Sequence, residues 1–433
     1  MLMVNRLSFR KINICKNSKV ALLIVLTAII CLLSVADNAN CRVPAEFEKS
    51  SAIWLTWPNT DFILDKPVSP VFMELVKSIS PYASIKLIAR NESERLKIKA
   101  VLRQLKVSNV TVYTMKYDSI WIRDTGPIFQ IGENNELMGL FYDDRKHTRE
   151  GVIPLLVDEI DRKILLHLRA RRKEAQIPPE AGGRSVNGKG TLLAVESVEL
   201  YRNPKMIKKE IETELKSEYN VKHVVWLKRG LYEDELHISF PMTAPVGRPI
   251  VTFGTNGHLD EFCHFVDAHT ILLAYVTPEE AESDSVSSEN FIRLEESYKI
   301  LSRAVDQDGK PFKIVRIPTA KPIQFTVAPY DNIYNAYESV FRFLGYTINE
   351  KLPLNVVPVM SYVNYVIANN IVVAPKYWEG ALPYAIKKRD EEALNTLKKV
   401  FPGKIIIQVN ALPINFGGGG IHCITLNEPL HKF

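Results

Sequence analysis

Three short stretches of the chain combine ionisable side chains with residues that make tight turns. In "DSIWIRDTGPIF", Trp121 and Asp124 stand three apart, and Gly126-Pro127 forces a turn directly after them. A carboxylate at the end of a strand beside such a turn is placed to point into a pocket. In "TNGHLDEFCHF", His258 and Asp260 flank Leu259. On a strand the two would project to one face while the leucine packs behind. In "NFGGGGIHCITLNEP", the four glycines Gly417–Gly420 lead into Cys423. No Gly-Lys-Ser/Thr follows them, so a phosphate cradle is not the reading.

Singly, each stretch has an ordinary structural explanation: a turn aspartate, a satisfied histidine, a small buried cysteine. Together they supply a nucleophile, a base and two carboxylates, which suits covalent catalysis at a cationic carbon. Four missing side chains before the cysteine let main chain pass close to a flat ligand where bulkier residues would fill the pocket.

The elements that must position these residues alternate between strand and helix patterns. "SAIWLTWP" and "SIKLIA" have strand composition, "SPVFMELVKSI" and "ESERLKIKAVLRQL" carry apolar residues at helical spacing, and "NVTVYTM" is strand again. "NPKMIKKEIETELKSE" predicts a helix with Asn203 as N-cap and Pro204 at its first position, followed by the strand "VKHVVWL". "RARRKE", Arg169–Glu174, reads as a solvated helix face that ends at Pro178-Pro179. The whole is an α/β protein. With no long Gly/Ser linker and no shift of composition, one catalytic domain over residues 41–433 is favoured over two.

The formal charge of +6 on 433 residues is concentrated at the start. Arg6, Arg10, Lys11, Lys16 and Lys19 precede the first acid, Asp37, and account for five of the six charges, so the remainder stands near +1. A body this close to neutral has no field to steer it to nucleic acid. The five cations introduce an apolar run, Val20–Ala36, that ends in Ser34-Val35-Ala36. Residues 1–36 therefore read as a cleaved secretory signal, with an N-terminal membrane anchor as the alternative. The expected location is secreted or periplasmic, with membrane contact only if the segment stays uncleaved. Cys41, Cys263 and Cys423 follow it, and three widely spaced cysteines make neither a disulfide framework nor a zinc motif.

The combination resembles the agmatine deiminase and bacterial peptidylarginine deiminase group of the guanidine-modifying (pentein) superfamily. "WLTWP", "DSIWIRDTGP", "NGKGTLL", "RNPKM", "VVWLKRGLY", "TNGHLDEFCHFV", "SYVNYVIANNIVVAPKY", "FPGK" and "GGGGIHCITLNEP" occur in the order those enzymes use. The resemblance implies a five-bladed, pseudo-symmetric α/β propeller with the active site in its central channel, although no internal repeat is visible in the sequence. It also implies roles. Asp124 and Asp260 would grip the guanidinium, Cys423 would attack its central carbon, and His258 would protonate the departing ammonia and then activate water. Trp121 matches the tryptophan that walls the guanidinium, with core packing as the alternative. Glu180 matches the acid of an "EGG" element, written here "PEAGG" with Ala181 for a glycine, and Asn364 matches an active-site asparagine.

The chemistry of the group agrees with these roles. A guanidinium offers five donors in a fixed fork and no acceptor, so its site needs carboxylates rather than amides. Neither a metal nor an organic cofactor is required. The implied partner is a small-molecule or peptide guanidine, with a homo-oligomer open.

Three departures from the agmatine deiminase pattern bear on which guanidine it is. "GLFYDDRKHTREG" replaces a Trp-rich stretch, and within it Arg145 and Arg149 are candidates for holding a peptide carboxylate. An insertion, "LHISFPMTAPVGRPIVTFG", runs from Leu236 to Gly254, and Gly420 stands where the family often has Asn. The core motifs favour agmatine, whereas the leader favours a secreted peptidylarginine deiminase that makes citrulline. A guanidinium-binding protein without turnover is a third reading.

Overall fold

Five small sheets repeat one arrangement, and each begins where a short turn delivers residues to a common centre. The computed structural model describes residues 41–58, 61–63, 66–143, 159–235, 237–239, 250–343 and 353–432. Residues from Arg42 onward group as one compact unit. The apolar leader and the Arg145/Arg149 stretch lie outside the described residues.

In four sheets an antiparallel pair is extended by a third, parallel strand. Ile128–Ile131 pairs with Leu137–Phe141, which continues to Arg171–Glu174. Arg184–Val186, Thr191–Val195 and His223–Leu227 repeat the scheme. So do Cys263–Phe265, Thr270–Tyr275 and Lys313–Pro318, and Val366–Ala368, Ile371–Lys376 and Ile405–Asn410. A parallel neighbour needs a crossover, and in each case helix supplies it: Ile160–His167, then Glu196–Arg202 with Lys208–Tyr219, then Ser285–Leu301, then Tyr384–Val400.

The remaining sheet joins the two ends of the unit. The C-terminal strand Leu426–Pro429 runs antiparallel to Ser50–Thr56, which continues in parallel to Ser84–Ala89 and Val110–Thr114. Glu428, fully buried, fastens this closure by accepting from Trp54 Nε1 at 2.6 Å and from Lys86 Nζ at 2.7 Å.

Strands that enter such sheets are apolar on both faces, and Ile53, Leu55, Leu87, Leu193, Leu272 and Val372 share one continuous core. A second cluster under Thr191–Val195 uses Ile211, Leu215 and Tyr219 of the crossover helix. The helices start where the local chemistry dictates: Asn91 and Asp284 cap theirs by accepting from the backbone N–H three residues on.

Two sequence expectations are corrected here. The helix expected to start at Pro204 begins at Lys208, because Asn203 ends the preceding helix by donating to the Glu199 carbonyl at 2.9 Å, and Glu210 reaches back to the Ile207 N–H instead. Arg171–Glu174 is an edge strand rather than a helix face. Arg169 adopts a left-handed φ of 53° that ends the helix before it.

The insertion is bounded by groups that stay together. Asp234, just before it, accepts from Thr255 N and Thr255 Oγ1 just after it, at 2.8 and 2.6 Å. The loop is therefore spliced in without parting the chain it interrupts. Within it, His237–Ser239 and Ile250–Thr252 pair antiparallel, and the latter adds to Leu354–Val357 and Phe325–Val327 in a separate sheet.

Candidate active site

Each of the five sheets is entered through a turn, and every turn carries residues of one cluster. Trp121 and the one-turn helix Ile122–Thr125 precede the strand from Ile128, and Ala181–Gly183 precede Arg184. Leu259–Glu261 precede Cys263, Asn364 precedes Val366, and Gly417–Cys423 precede Leu426. Two local expectations fail in detail. Asp124 sits in a helical turn rather than at a strand end, and His258 and Asp260 lie on a 3-10 turn rather than a strand. Their side chains nonetheless converge, because the turn wraps around Leu259, which is fully buried.

The centre of the cluster is marked by a missing side chain. A Cβ on Gly182 would lie 2.7 Å from His258 Nδ1, 3.0 Å from Asp124 Oδ1 and 3.0 Å from Asp260 Oδ2. Asp260 Oδ2 is 3.5 Å from the Cys423 sulfur. His258 Nδ1 and Asp260 Oδ1 are both buried without a hydrogen-bond partner. Buried polar atoms are seldom left so, and both belong to the group around this point.

Each chemical group is held from behind. His258 Nε2 lies 2.9 Å from Glu180 Oε2, whose other oxygen takes Arg202 Nε at 2.6 Å. The His258 N–H donates to Asp234 at 2.7 Å. Asp124 accepts from the Gly182 N–H at 2.8 Å, and Asp260 from His422 Nδ1 at 2.7 Å. Asn364 bridges three groups: its Nδ2 donates to Cys423 Sγ at 3.2 Å and to Glu261 at 2.8 Å, while its Oδ1 accepts the His422 N–H at 2.7 Å. Trp121 stands across Gly419 from the thiol, since a Cβ there would lie 2.9 Å from the Trp121 ring and 3.0 Å from Cys423 Sγ. All seven residues singled out in the sequence are thus brought together.

The electrostatics pair a cationic acid with a protonated thiol. Burial pulls His258 down, but Asp124 and the Glu180 carboxylate outweigh it and hold the imidazole pKa up at about 9. Burial alone would raise Glu180, yet Arg202 and His258 hold it down to about 2. Asp124 is pushed up to about 6, mainly by burial. Burial, then Asp260, Glu261 and Asp124, drive the Cys423 thiol well above its usual range, against a smaller downward pull from the Gly420 N–H at 3.4 Å. A cation placed among these carboxylates would relieve that repulsion and favour thiolate.

Residues 42–429 match the family of Porphyromonas-type peptidyl-arginine deiminases. The chain belongs to that family. It is 28% identical over 404 residues to the agmatine deiminase of Pseudomonas aeruginosa, covering 90% of this chain and 95% of that one. To the agmatine deiminase of Medicago truncatula it is 27% identical over 413 residues, covering 90% and 96%. The solved structure of the agmatine deiminase of Enterococcus faecalis superposes with a TM-score of 0.69 at 25% identity, covering 91% of this chain and 97% of that one. The chain is thus an α/β member of a guanidino-group deiminase family with the pentein fold.

Several residues of this deiminase cluster carry no signal of their own in the sequence. Arg202, Glu261 and His422 stand inside motifs already noticed, where neighbouring residues drew the attention, and Asp234 stands two residues beyond one. Gly182 is legible only once the three groups packed against it are seen. Glu46 has no motif at all, yet it lies 2.7 Å from His422 Nε2 and 2.5 Å from Arg123 Nη1, across 376 residues of sequence.

Proposed function

We propose that the chain hydrolyses the guanidinium of agmatine to N-carbamoylputrescine and ammonia through a covalent Cys423 intermediate. The observation that carries the reading is the convergence of two carboxylates, an imidazole and a thiol: His258 Nδ1, Asp124 Oδ1 and Asp260 Oδ2 all lie within 3.0 Å of where a Cβ on Gly182 would stand, and Asp260 Oδ2 is 3.5 Å from the Cys423 sulfur. Asp124 and Asp260 accept from the guanidinium N–H groups, and Trp121 flanks its plane. The Cys423 proton passes to solvent as the substrate's charge arrives, and the thiolate adds to the central carbon. His258, protonated through Asp124 and Glu180, gives its proton to the departing nitrogen, and the C–N bond breaks to leave a thiouronium. The neutral imidazole then takes a proton from water as the oxygen adds to carbon. Collapse expels the Cys423 thiolate while the hydroxyl proton passes to the released ammonia, so guanidinium plus water have become a ureido group plus ammonium.

The five repeated sheets are read as blades around a pseudo-fivefold axis, with the cluster in the central channel. The same placement of site residues in every entry turn supports this. Preference for agmatine rests on the core motifs and on the names of the relatives above. The leader instead favours a peptidylarginine substrate and a secreted or periplasmic enzyme.

Ammonia release from agmatine, free arginine and a peptide ending in arginine, measured for the full chain and for Cys423→Ala, separates these. Cys423-dependent release from agmatine is expected. Release from the peptide alone overturns the substrate, and no Cys423-dependent release from any of the three overturns the enzyme in favour of a binding protein. The N-terminus of the native protein decides the leader, since an intact Met1 excludes cleavage after Ala36.

A further inference from the structure

The proposed chemistry uses His422 only through Nδ1, and it uses Glu46 and His264 not at all. These three side chains nevertheless aim their remaining ligand atoms at one small space. Glu46 Oε2 lies 2.7 Å from His422 Nε2 and 3.6 Å from His264 Nε2, and all three atoms fall within 4.8 Å of one another. The imidazole rings meet edge to face with centroids 5.2 Å apart. Both histidines are buried, at 2% and 0% exposure.

The far nitrogens decide what the near ones present. His264 Nδ1 is 3.1 Å from the Phe265 carbonyl, which only accepts, so Nδ1 carries the proton and Nε2 presents a lone pair. That Nε2 is buried, has no hydrogen-bond partner and faces a carboxylate oxygen, another acceptor. Two acceptors turned on each other in a buried space call for a cation between them. His422 Nδ1 donates likewise to Asp260 at 2.7 Å, and its Nε2 holds a proton against Glu46 Oε2 at 2.7 Å, which a metal ion must displace. An imidazole anchored at one nitrogen by a carbonyl or carboxylate, with the other turned inward, is the arrangement that orients metal-ligating histidines.

We propose that Glu46, His264 and His422 bind a divalent transition-metal ion, zinc foremost, at a site separate from the thiol. Two imidazoles and one carboxylate suit zinc and its late first-row neighbours, whereas magnesium and calcium take oxygen sets. Three protein ligands leave a fourth position for water. Arg123 Nη1 occupies the other Glu46 oxygen at 2.5 Å, so Glu46 has one oxygen to give, and the nearby guanidinium moderates the affinity. An entry route exists. The Glu46 side chain is 18% exposed and lines a surface cleft with Pro44, Arg123, Arg184 and Asn427. A bound ion would also stiffen Asp260 through the His422 ring.

Asp260, Glu261 and Cys423 form a second cluster of ligand atoms within 4.8 Å, so the test must tell the two apart. Cobalt(II) serves as the probe, with zinc as competitor, on the full chain. The expected result is one cobalt per chain with the visible bands of a tetrahedral nitrogen and oxygen site, no thiolate charge-transfer band, and displacement by zinc. Cys423→Ser should leave the titration unchanged. His264→Gln and Glu46→Gln, each checked for a wild-type unfolding transition, should weaken cobalt by at least about 100-fold, the upper end of what losing an outer hydrogen-bond partner costs a metal site. Failure of the wild type to bind cobalt overturns the proposal. So does binding that both glutamine variants retain, or a thiolate band lost in Cys423→Ser.

Discussion

Alanine at Gly182 and alanine at Gly183 should have opposite consequences, although the two residues are adjacent in one turn. A Cβ on Gly182 meets three polar atoms at 2.7, 3.0 and 3.0 Å, whereas one on Gly183 meets Val198 Cγ1 at 3.6 Å and His258 ring atoms at 3.7 and 3.9 Å. The second set is ordinary contact; the first lies several tenths of an ångström inside it. None of the three crowded groups is free to yield. His258 is held by Glu180 and Asp234, Asp124 by the Gly182 N–H itself, and Asp260 by His422. The methyl must therefore displace these three groups, at about 1–3 kcal/mol of overpacking. A displacement approaching 1 Å costs on the order of 100-fold in rate, so Gly182→Ala should lose at least about that in kcat/KM while still unfolding cooperatively. Gly183→Ala should stay within about threefold of wild type, a difference of under about 1 kcal/mol in transition-state binding. Ammonia release under saturating and limiting agmatine, with thermal unfolding of both variants, gives the comparison. A Gly182→Ala enzyme with wild-type kcat/KM would refute the dependence of the chemistry on the positions of His258, Asp124 and Asp260.

Glu180→Gln keeps the contact to His258 Nε2 but removes the charge that helps hold the imidazole pKa near 9. His258 is raised above its ordinary 6.5, so its charged form adds stability that is whole below about pH 6.5 and lost as pH climbs through about 9. The variant should move the alkaline limb of kcat/KM to lower pH, and a profile superimposable on wild type would exclude Glu180 from holding that proton. Asn364→Ala strands the His422 N–H in a buried place and should cost about 1–3 kcal/mol in urea unfolding together with a lower kcat. Gly420→Asn, toward the residue common in the family, brings a Cβ to 2.5 Å from Asn364 Oδ1. It should destabilise by about 1–3 kcal/mol, and an unchanged melting temperature would show that this turn has room to adjust. The double variant Gly420→Asn, Asn364→Ala should regain part of that loss.

The departure at Gly420 illustrates how far a motif reaches. Read as sequence, a glycine for an asparagine suggests a looser loop. In the structure the same glycine fits against Asn364, and its N–H points at the Cys423 sulfur. Gly418, at a φ of 86°, runs against Gly254 and Phe253, at the end of the insertion. The glycine run is thus tight rather than slack. Likewise Ala181, in place of a glycine, leaves Gly182 to make the close approach.

Element types were legible in the chain because they rest on local periodicity: Ser84–Ala89 as strand and Ser69–Ile79 as helix follow from which residues alternate and which recur every three or four. Residue chemistry was legible for the same reason, since Asp124, His258, Asp260 and Cys423 each stand in a short run with its own turn residues. The fivefold recurrence of sheets was hidden, because backbone pairing repeats there while the side chains do not. So was the partnership of groups far apart in the chain. Glu46 touches His422 and Arg123, Asp234 fixes His258, and Arg202 fixes Glu180 only after the sheets bring their entry turns to one place. A lone acid or arginine has no periodicity to betray it. Its role is set by which charges share its low-dielectric surroundings, and packing alone decides that.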